Sequence, residues 1–356
     1  MRRRPFKKGV DEPMAPRVFS TKTTWMAVIA LGMITLDCGT ARGGGITGVV
    51  SFGDSLSDVG NDYIASGGTE PPSPPYYQGH FSNGPIWLEY LAKDLGVSAP
   101  TPYLAGGSDY AFGGAETGPG YANFMGYQIP NIDTQIAAYF AAHNTPSPTQ
   151  LFTIWGGAND ALFGSSPNPQ TSAANIAQEI TTLANAGAKQ FLIPNLPPLN
   201  LTPYALSGAL TTGQVQGLAQ FTVGFNYYLG LELPQLQQSL GVQIHEMDVN
   251  SLFYAVLANP GKYGFTNVTD ELLLAPTNVT TGYLFWDEVH PTTQAGQTLG
   301  NLAFQSVPEP SSLIILATSI SGLGAWIRFG LQSRGRGSRS SGRAGTPTTV
   351  CPPATS

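Results

Sequence analysis

Val49-Val50-Ser51-Phe52-Gly53-Asp54-Ser55-Leu56 opens as a short apolar strand and closes in a Gly-Asp-Ser turn, the first strand-to-turn unit of the chain. Outward from it, helix-like and strand-like stretches alternate along the chain. Ile86 to Leu95 and Ile132 to Ala142 have helical periodicity, and Leu151 to Trp155 reads as a buried strand. Ile176 to Ala186 is again helical, and Gln190 to Ile193 is a strand stopped by Pro194. Val215 to Leu240 is largely helical with a break expected at Pro234, and Val242 to Met247 is a strand. Such alternation predicts an α/β fold: a three-layer α/β/α sandwich around a parallel sheet. Loops at the carboxyl ends of its strands are where such sheets place their sites.

The 356 residues include 43 Gly and 29 Pro and only 11% charged residues, which describes a loop-rich globular protein. The net charge of -6 is unevenly distributed. Between Ile46 and Ser306 stand 18 carboxylates against Lys93, Lys189 and Lys262, with no arginine. A body this acidic repels nucleic-acid phosphates, so nucleic-acid binding is not expected. Cys38 and Cys351 both fall outside this middle segment, which therefore has neither disulfide nor thiolate chemistry.

The ends read as targeting. Residues 1–45 carry a basic stretch, an apolar run from Thr24 to Leu36 and the small residues Gly39-Thr40-Ala41, the pattern of a signal peptide cut near Ala41. Met14 is an alternative start, and Asp37 before Cys38 fits lipoprotein processing poorly. Residues 307–330 begin with Val307-Pro308-Glu309-Pro310 and continue as a 19-residue apolar stretch, Ser311 to Phe329, with Arg328, Arg334 and Arg336 at its far side. As a helix this would span about 28 Å, enough for a membrane anchor whose basic flank stays in the cytoplasm. It resembles the PEP-CTERM sorting signal, which implies a membrane protease that removes the helix; a plain stop-transfer anchor is the other reading. Residues 331–356 form a basic tail expected to lack order. The expected location is thus the cell envelope or the exterior, with at least transient tethering to the inner membrane.

Several short motifs in the middle segment, residues 46–306, carry chemistry. Ser55 sits where the first strand turns toward a helix, although Asp and Ser in such a turn also serve simply as caps. In Phe285-Trp286-Asp287-Glu288-Val289-His290-Pro291 a carboxylate stands three residues before a histidine, so Asp287 can hold one imidazole nitrogen while the other faces a hydroxyl. Trp155-Gly156-Gly157-Ala158-Asn159-Asp160 and Gly113-Gly114-Ala115 both follow strands or turns and contain a Gly pair. Backbone amides there and the Asn159 side chain can donate to a developing oxyanion. Zinc-ligand spacing is absent, and His245 and Glu246, adjacent in a strand, point to opposite faces.

Taken in order, Gly53-Asp54-Ser55-Leu56, Gly113-Gly114-Ala115, Gly157-Ala158-Asn159-Asp160 and Asp287-Glu288-Val289-His290 resemble the four blocks of the GDSL or SGNH hydrolase family. His80-Phe81-Ser82-Asn83-Gly84-Pro85-Ile86-Trp87 and Ile193-Pro194-Asn195-Leu196-Pro197-Pro198 are similar to further segments of its lipase/esterase branch. His80 stands where Arg is common and Asp109 where Asn is common, departures expected to affect substrate contacts. The resemblance implies a flavodoxin-like SGNH domain and hydrolysis of small-molecule, lipid or glycan esters. It implies Ser55 as nucleophile, His290 as base, Asp287 as its orienting carboxylate, and the Ser55 and Gly114 amides with Asn159 as oxyanion donors. It implies no metal or organic cofactor. Acyl transfer to an alcohol, deacetylation of a polysaccharide and a non-catalytic surface protein are the alternatives on the same fold.

Overall fold

The computed structural model describes residues 45–307 apart from 125, 165 and 166. The leader through residue 44, Cys38, Cys351, the 311–329 stretch and the basic tail lie outside the described residues. Along the chain the strands are β1 (Gly48–Gly53), β2 (Tyr121–Phe124), β3 (Tyr127–Pro130), β4 (Gln150–Trp155), β5 (Gln190–Pro194), β6 (Gln243–Met247), β7 (Asn267–Glu271) and β8 (Tyr283–Phe285). The helices are α1 (Asn61–Ala65), α2 (Trp87–Leu95), α3 (Ile132–Ala141), α4 (Ala158–Leu162), α5 (Pro169–Asn185), α6 (Pro203–Leu206), α7 (Thr212–Leu240), α8 (Val249–Ala258) and α9 (Thr293–Ser306).

The central sheet has the order β1-β4-β5-β6 with every pairing parallel. Strands β1, β4 and β5 are near-continuous apolar runs buried on both faces, as a sheet covered on both sides requires, while the edge strand β6 leaves Gln243 and Glu246 exposed. Val50, Phe52, Phe152, Ile154, Phe191 and Ile193 face one core with residues of α3, α5 and α7, including Ile136, Ile180 and Phe225. Val49, Leu151, Trp155 and Leu192 face the other, against Trp87 and Leu91 of α2 and Ala303 of α9. Each fully buried side chain of this size contributes roughly 1.5–3 kcal/mol, and the two cores make the three-layer α/β/α sandwich that the alternation predicts.

A fifth segment completes the sheet beside β1 without being a regular strand. The Ser51 amide donates to Ser108 O, the Tyr110 amide to Ser51 O and the Phe112 amide to Gly53 O, at 3.1, 2.8 and 3.1 Å. Residues 108–112 thus lie on one side of β1 and β4 on the other. The chain crosses from one side of β1 to the other between these neighbours, which makes the end of β1 the switch point of the sheet.

The expected break at Pro234 does not occur, and α7 continues through it to Leu240. Pro234 is exposed, so the Gly230 carbonyl that loses its amide partner lies on the solvent side, where water can replace the bond. Helix α5 starts seven residues before Ile176, because Asn168 accepts from the Gln170 and Thr171 amides and Pro169 takes the first helical position. That first turn is polar and carries no apolar period. Among the described residues no helix is long and apolar enough to cross a membrane.

Candidate active site

The turn after β1 is forced by close packing. Gly53 has φ +149°, and a Cβ there would lie 2.2 Å from Trp155 O of the neighbouring strand, so only glycine fits. Beyond it the Leu56 amide donates to Asp54 Oδ1 at 3.0 Å, and the Ser57 and Asp58 amides donate to Asp54 O. This turn leaves Ser55 half-buried at the sheet's carboxyl edge.

His290 and Asp287 arrive from the far end of the domain on a tight loop between β8 and α9. The loop is closed by the Trp286 amide donating to His290 O at 2.7 Å, and α9 is started by Thr292, whose hydroxyl accepts from the Ala295 amide. His290 Nε2 lies 2.8 Å from Ser55 Oγ, across 235 residues of sequence. His290 Nδ1 lies 2.9 and 2.8 Å from the two oxygens of Asp287. Burial pushes the Asp287 carboxyl up, but the imidazole of His290, the Tyr76 hydroxyl and the Val289 amide outweigh it and hold the pKa down at about 2. Asp287 is therefore an acceptor only, so the proton of the Nδ1 contact belongs to the imidazole, and in the neutral ring the Nε2 lone pair faces the Ser55 hydroxyl. That is the arrangement in which a hydroxyl can lose its proton to an imidazole as it attacks.

Asn159 stands in the first turn of α4, and its Nδ2 donates to Ala115 O at 2.9 Å. Gly157 before it has φ +109° and abuts Phe225, where a Cβ would be 2.8 Å from the ring. Asp160 then fastens the facing loop, accepting from the Thr117 amide, the Thr117 hydroxyl and, at 2.6 Å, Ser172 Oγ. Ser55, Asn159 and His290 line one pocket. Gly114 is not part of its wall; it lies one residue before the carbonyl that holds Asn159, on the loop continuing the segment paired with β1. The remaining wall is dominated by apolar side chains, among them Leu56, Leu199, Leu252, Phe253, Phe265 and Leu284.

Asp109 and His80 do not contact this pocket. Asp109 is fully buried, accepting from Ser51 Oγ at 2.6 Å, the Val59 amide at 3.0 Å and Asn61 Nδ2 at 3.2 Å. His80 is buried with Nε2 3.2 Å from Glu89 Oε2; burial opposes its charge, but the Glu89 carboxylate prevails and raises its pKa. Glu89 also accepts from the Ile86 amide at 2.7 Å. The two departures from the family pattern therefore belong to the scaffold, because both side chains spend their polar atoms on internal partners rather than on a ligand.

Two acidic groups near Ser55 do more than the capping that their turn suggests. Asp54 is buried against the pocket, and burial pushes its pKa up to about 7 despite the Leu56 amide and the imidazole of His290. Asp58 is raised to about 6 by burial although four amides donate to it, the Gly113 amide at 3.4 Å among them, so it ties the Gly-pair loop to the serine turn. Tyr76 escaped the reading of the motifs: its hydroxyl donates to Asp287 Oδ2 at 2.7 Å from a loop that its prolines mark only as irregular. No local pattern links a tyrosine to a carboxylate 211 residues away.

The family model of GDSL-like lipase/acylhydrolases matches residues 49–303. A phosphatidylcholine-sterol acyltransferase of Aeromonas hydrophila is 28% identical over 326 residues, covering 76% of this chain and 93% of that protein. A GDSL esterase/lipase of Arabidopsis thaliana is 27% identical over 352 residues, 80% of this chain and 93% of its own. A solved structure from the lipolytic G-D-S-L family of Veillonella parvula DSM 2008 aligns at 16% identity and a TM-score of 0.40, over 73% of this chain and 97% of that one.

Proposed function

Because the chain belongs to the GDSL-like lipase/acylhydrolase family, we propose that it hydrolyses carboxylic esters through an acyl-enzyme on Ser55. The observation that carries this reading is the unbroken sequence of contacts from Ser55 Oγ to His290 Nε2 and from His290 Nδ1 to Asp287, each under 3 Å. In the first step Ser55 Oγ bonds to the acyl carbon and its proton passes to His290 Nε2. The carbonyl electrons move onto oxygen, where the Ser55 amide and Asn159 Nδ2 are the donors lining the pocket; the Gly114 amide, which lies outside its wall, is the third donor in this reading. One hydrogen of the Asn159 amide is committed to Ala115 O, which fixes the plane in which the other is presented. Each such donor is worth about 10²- to 10³-fold in kcat. When the tetrahedral intermediate collapses, the ester C–O bond breaks and the leaving alcohol takes the proton from His290. Water then repeats the sequence on the acyl-enzyme, releasing the acid and restoring Ser55.

The pocket beside Ser55 supports a substrate with an aliphatic chain, since its apolar wall offers burial worth roughly 0.8 kcal/mol per methylene and few polar partners. On p-nitrophenyl esters, kcat/KM rises from acetate to hexanoate. Leu252→Trp, which fills the pocket from α8, lowers the hexanoate value by about tenfold or more while leaving acetate within about threefold. A wild-type enzyme fastest on acetate would remove the aliphatic substrate, and one inactive on every ester would remove the hydrolase. Transfer of the same acyl group to an alcohol is the second reading, supported by the similarity to the Aeromonas hydrophila acyltransferase. An added alcohol that captures acyl groups as new ester distinguishes it.

Residues 46–306 form the hydrolase domain in this reading, exported behind the signal-peptide pattern of residues 1–45 and tethered by the 307–330 sorting signal until a membrane protease cuts it. Its support is the sequence: a basic and apolar leader, Val307-Pro308-Glu309-Pro310 and the apolar stretch with its arginine flank. Mass spectrometry of envelope and medium is expected to find a species starting near Arg42 and lacking Ile327 to Ser356. Active, uncut protein confined to the cytoplasm would overturn export.

A further inference from the structure

We propose that Tyr76 is a positioning residue for the Asp287–His290 pair, set in place by a strap, residues 76–85, that is fastened along the loop carrying both. The inference rests on the catalytic reading of Ser55, His290 and Asp287.

The other polar contacts of Asp287 come from within its own loop. Oδ1 accepts from the Val289 and His290 amides at 3.0 and 2.8 Å, and both oxygens meet His290 Nδ1. These bonds fix the carboxylate relative to the imidazole but not the pair relative to Ser55. The Tyr76 hydroxyl, on Oδ2 at 2.7 Å, supplies the tie to another part of the molecule. It can only donate there: burial first, then the charge of Asp287 and its hydrogen bond, drive the phenol far above its ordinary range, with Glu271 and Glu70 adding to the effect. The ring is itself held edge-on, 5.9 Å from Trp286 and 6.4 Å from Phe81.

The rest of the strap repeats the attachment. Phe81 lies 5.1 Å from the His290 ring, centroid to centroid. Ser82 Oγ donates to Pro291 O at 2.9 Å, Asn83 Oδ1 accepts from the Thr293 amide at 2.9 Å, and Pro85 O accepts from Thr293 Oγ1 at 2.8 Å. Gly84 lies so close to Thr293 that a Cβ would sit 2.7 Å from the Thr293 Cβ, so the strap approaches there only as glycine. The stretch from His80 to Trp87, one of the segments that marked the family in sequence, thus packs against the His290 ring and the residues that follow it, while Tyr76 holds the carboxylate that precedes it.

A phenol on Oδ2 takes a share of the carboxylate charge that otherwise favours the imidazolium of His290. Other charges act on this pair: Asp54 at the end of β1 faces His290, and Glu271 of β7 faces Asp287, with Glu288 in the loop acting in turn on Glu271. None of these is altered by removing a hydroxyl from Tyr76.

The test compares Tyr76→Phe with wild type on a p-nitrophenyl ester, with Ser55→Ala in parallel and active enzyme counted by fluorophosphonate labelling. Tyr76→Phe keeps the ring contacts and loses only the bond to Asp287. The expected result is kcat per labelled site lower by about tenfold, the equivalent of one charge-assisted hydrogen bond, with KM within about twofold. The acidic limb of the kcat/KM profile moves to higher pH by roughly half a unit, because the carboxylate keeps more charge for the imidazolium. A merely structural role would change the labelled fraction and leave the limb in place. A Tyr76→Phe profile superimposed on wild type, with Ser55→Ala inactive, overturns the role of Tyr76 alone. An active Ser55→Ala overturns the catalytic reading beneath it.

Discussion

Ser55→Ala lowers kcat for ester hydrolysis by about 10⁴- to 10⁶-fold and abolishes covalent labelling by a fluorophosphonate, while the thermal transition moves little. The size of the loss follows from the chemistry: without Oγ there is no acyl-enzyme, and what remains is water attacking an ester held near oxyanion donors. The small effect on stability follows from the position. Ser55 is half-buried in a turn whose geometry is set by Gly53 and by the Asp54 carbonyl and carboxylate, and the hydroxyl's contact is with His290, itself partly exposed. Activity within tenfold of wild type in the variant would show that the nucleophile is another group.

Asp287→Asn costs about 10⁴-fold in kcat, more than the loss of a charge alone suggests, because it inverts the imidazole. Two backbone amides donate to Oδ1, so the asparagine keeps its oxygen there and places its NH₂ where Oδ2 was. That NH₂ then faces both the Tyr76 hydroxyl and His290 Nδ1, two groups that the carboxylate had accepted from. It donates to Nδ1, which shifts the ring proton to Nε2, toward Ser55, and leaves no lone pair to take the serine proton. Kinetics of the purified variant, with circular dichroism to confirm the fold, measure the effect. A kcat unchanged from wild type would mean that another carboxylate orients His290.

Much of the fold was legible because it is written locally. The near-continuous apolar runs Val49 to Phe52, Leu151 to Trp155 and Phe191 to Ile193 announce strands buried on both faces, and their successive residues divide between the two cores as the pleat requires. Where local signals misled, a neighbour had intervened. Pro234 breaks a helix only if the freed carbonyl has no substitute partner, and exposure of that turn to water is a tertiary fact. The 108–112 segment carries no strand period, yet Ser51 and Gly53 pair with it because β1 has a free edge there.

The α/β alternation, the acidic middle between basic ends, and the residue types at the strand ends, Ser55, Asn159, Asp287 and His290 among them, can be read along the chain. All of these rest on backbone propensity, side-chain period and spacing within a few residues. Contacts between distant segments come from the folded arrangement: His290 meets Ser55 across 235 residues, Tyr76 reaches Asp287 across 211, and Asp109 and His80 turn inward to scaffold partners. Such meetings depend on how the crossovers close the sheet and on which loops pack together, and the free energy of a contact between distant segments leaves no pattern in either segment alone.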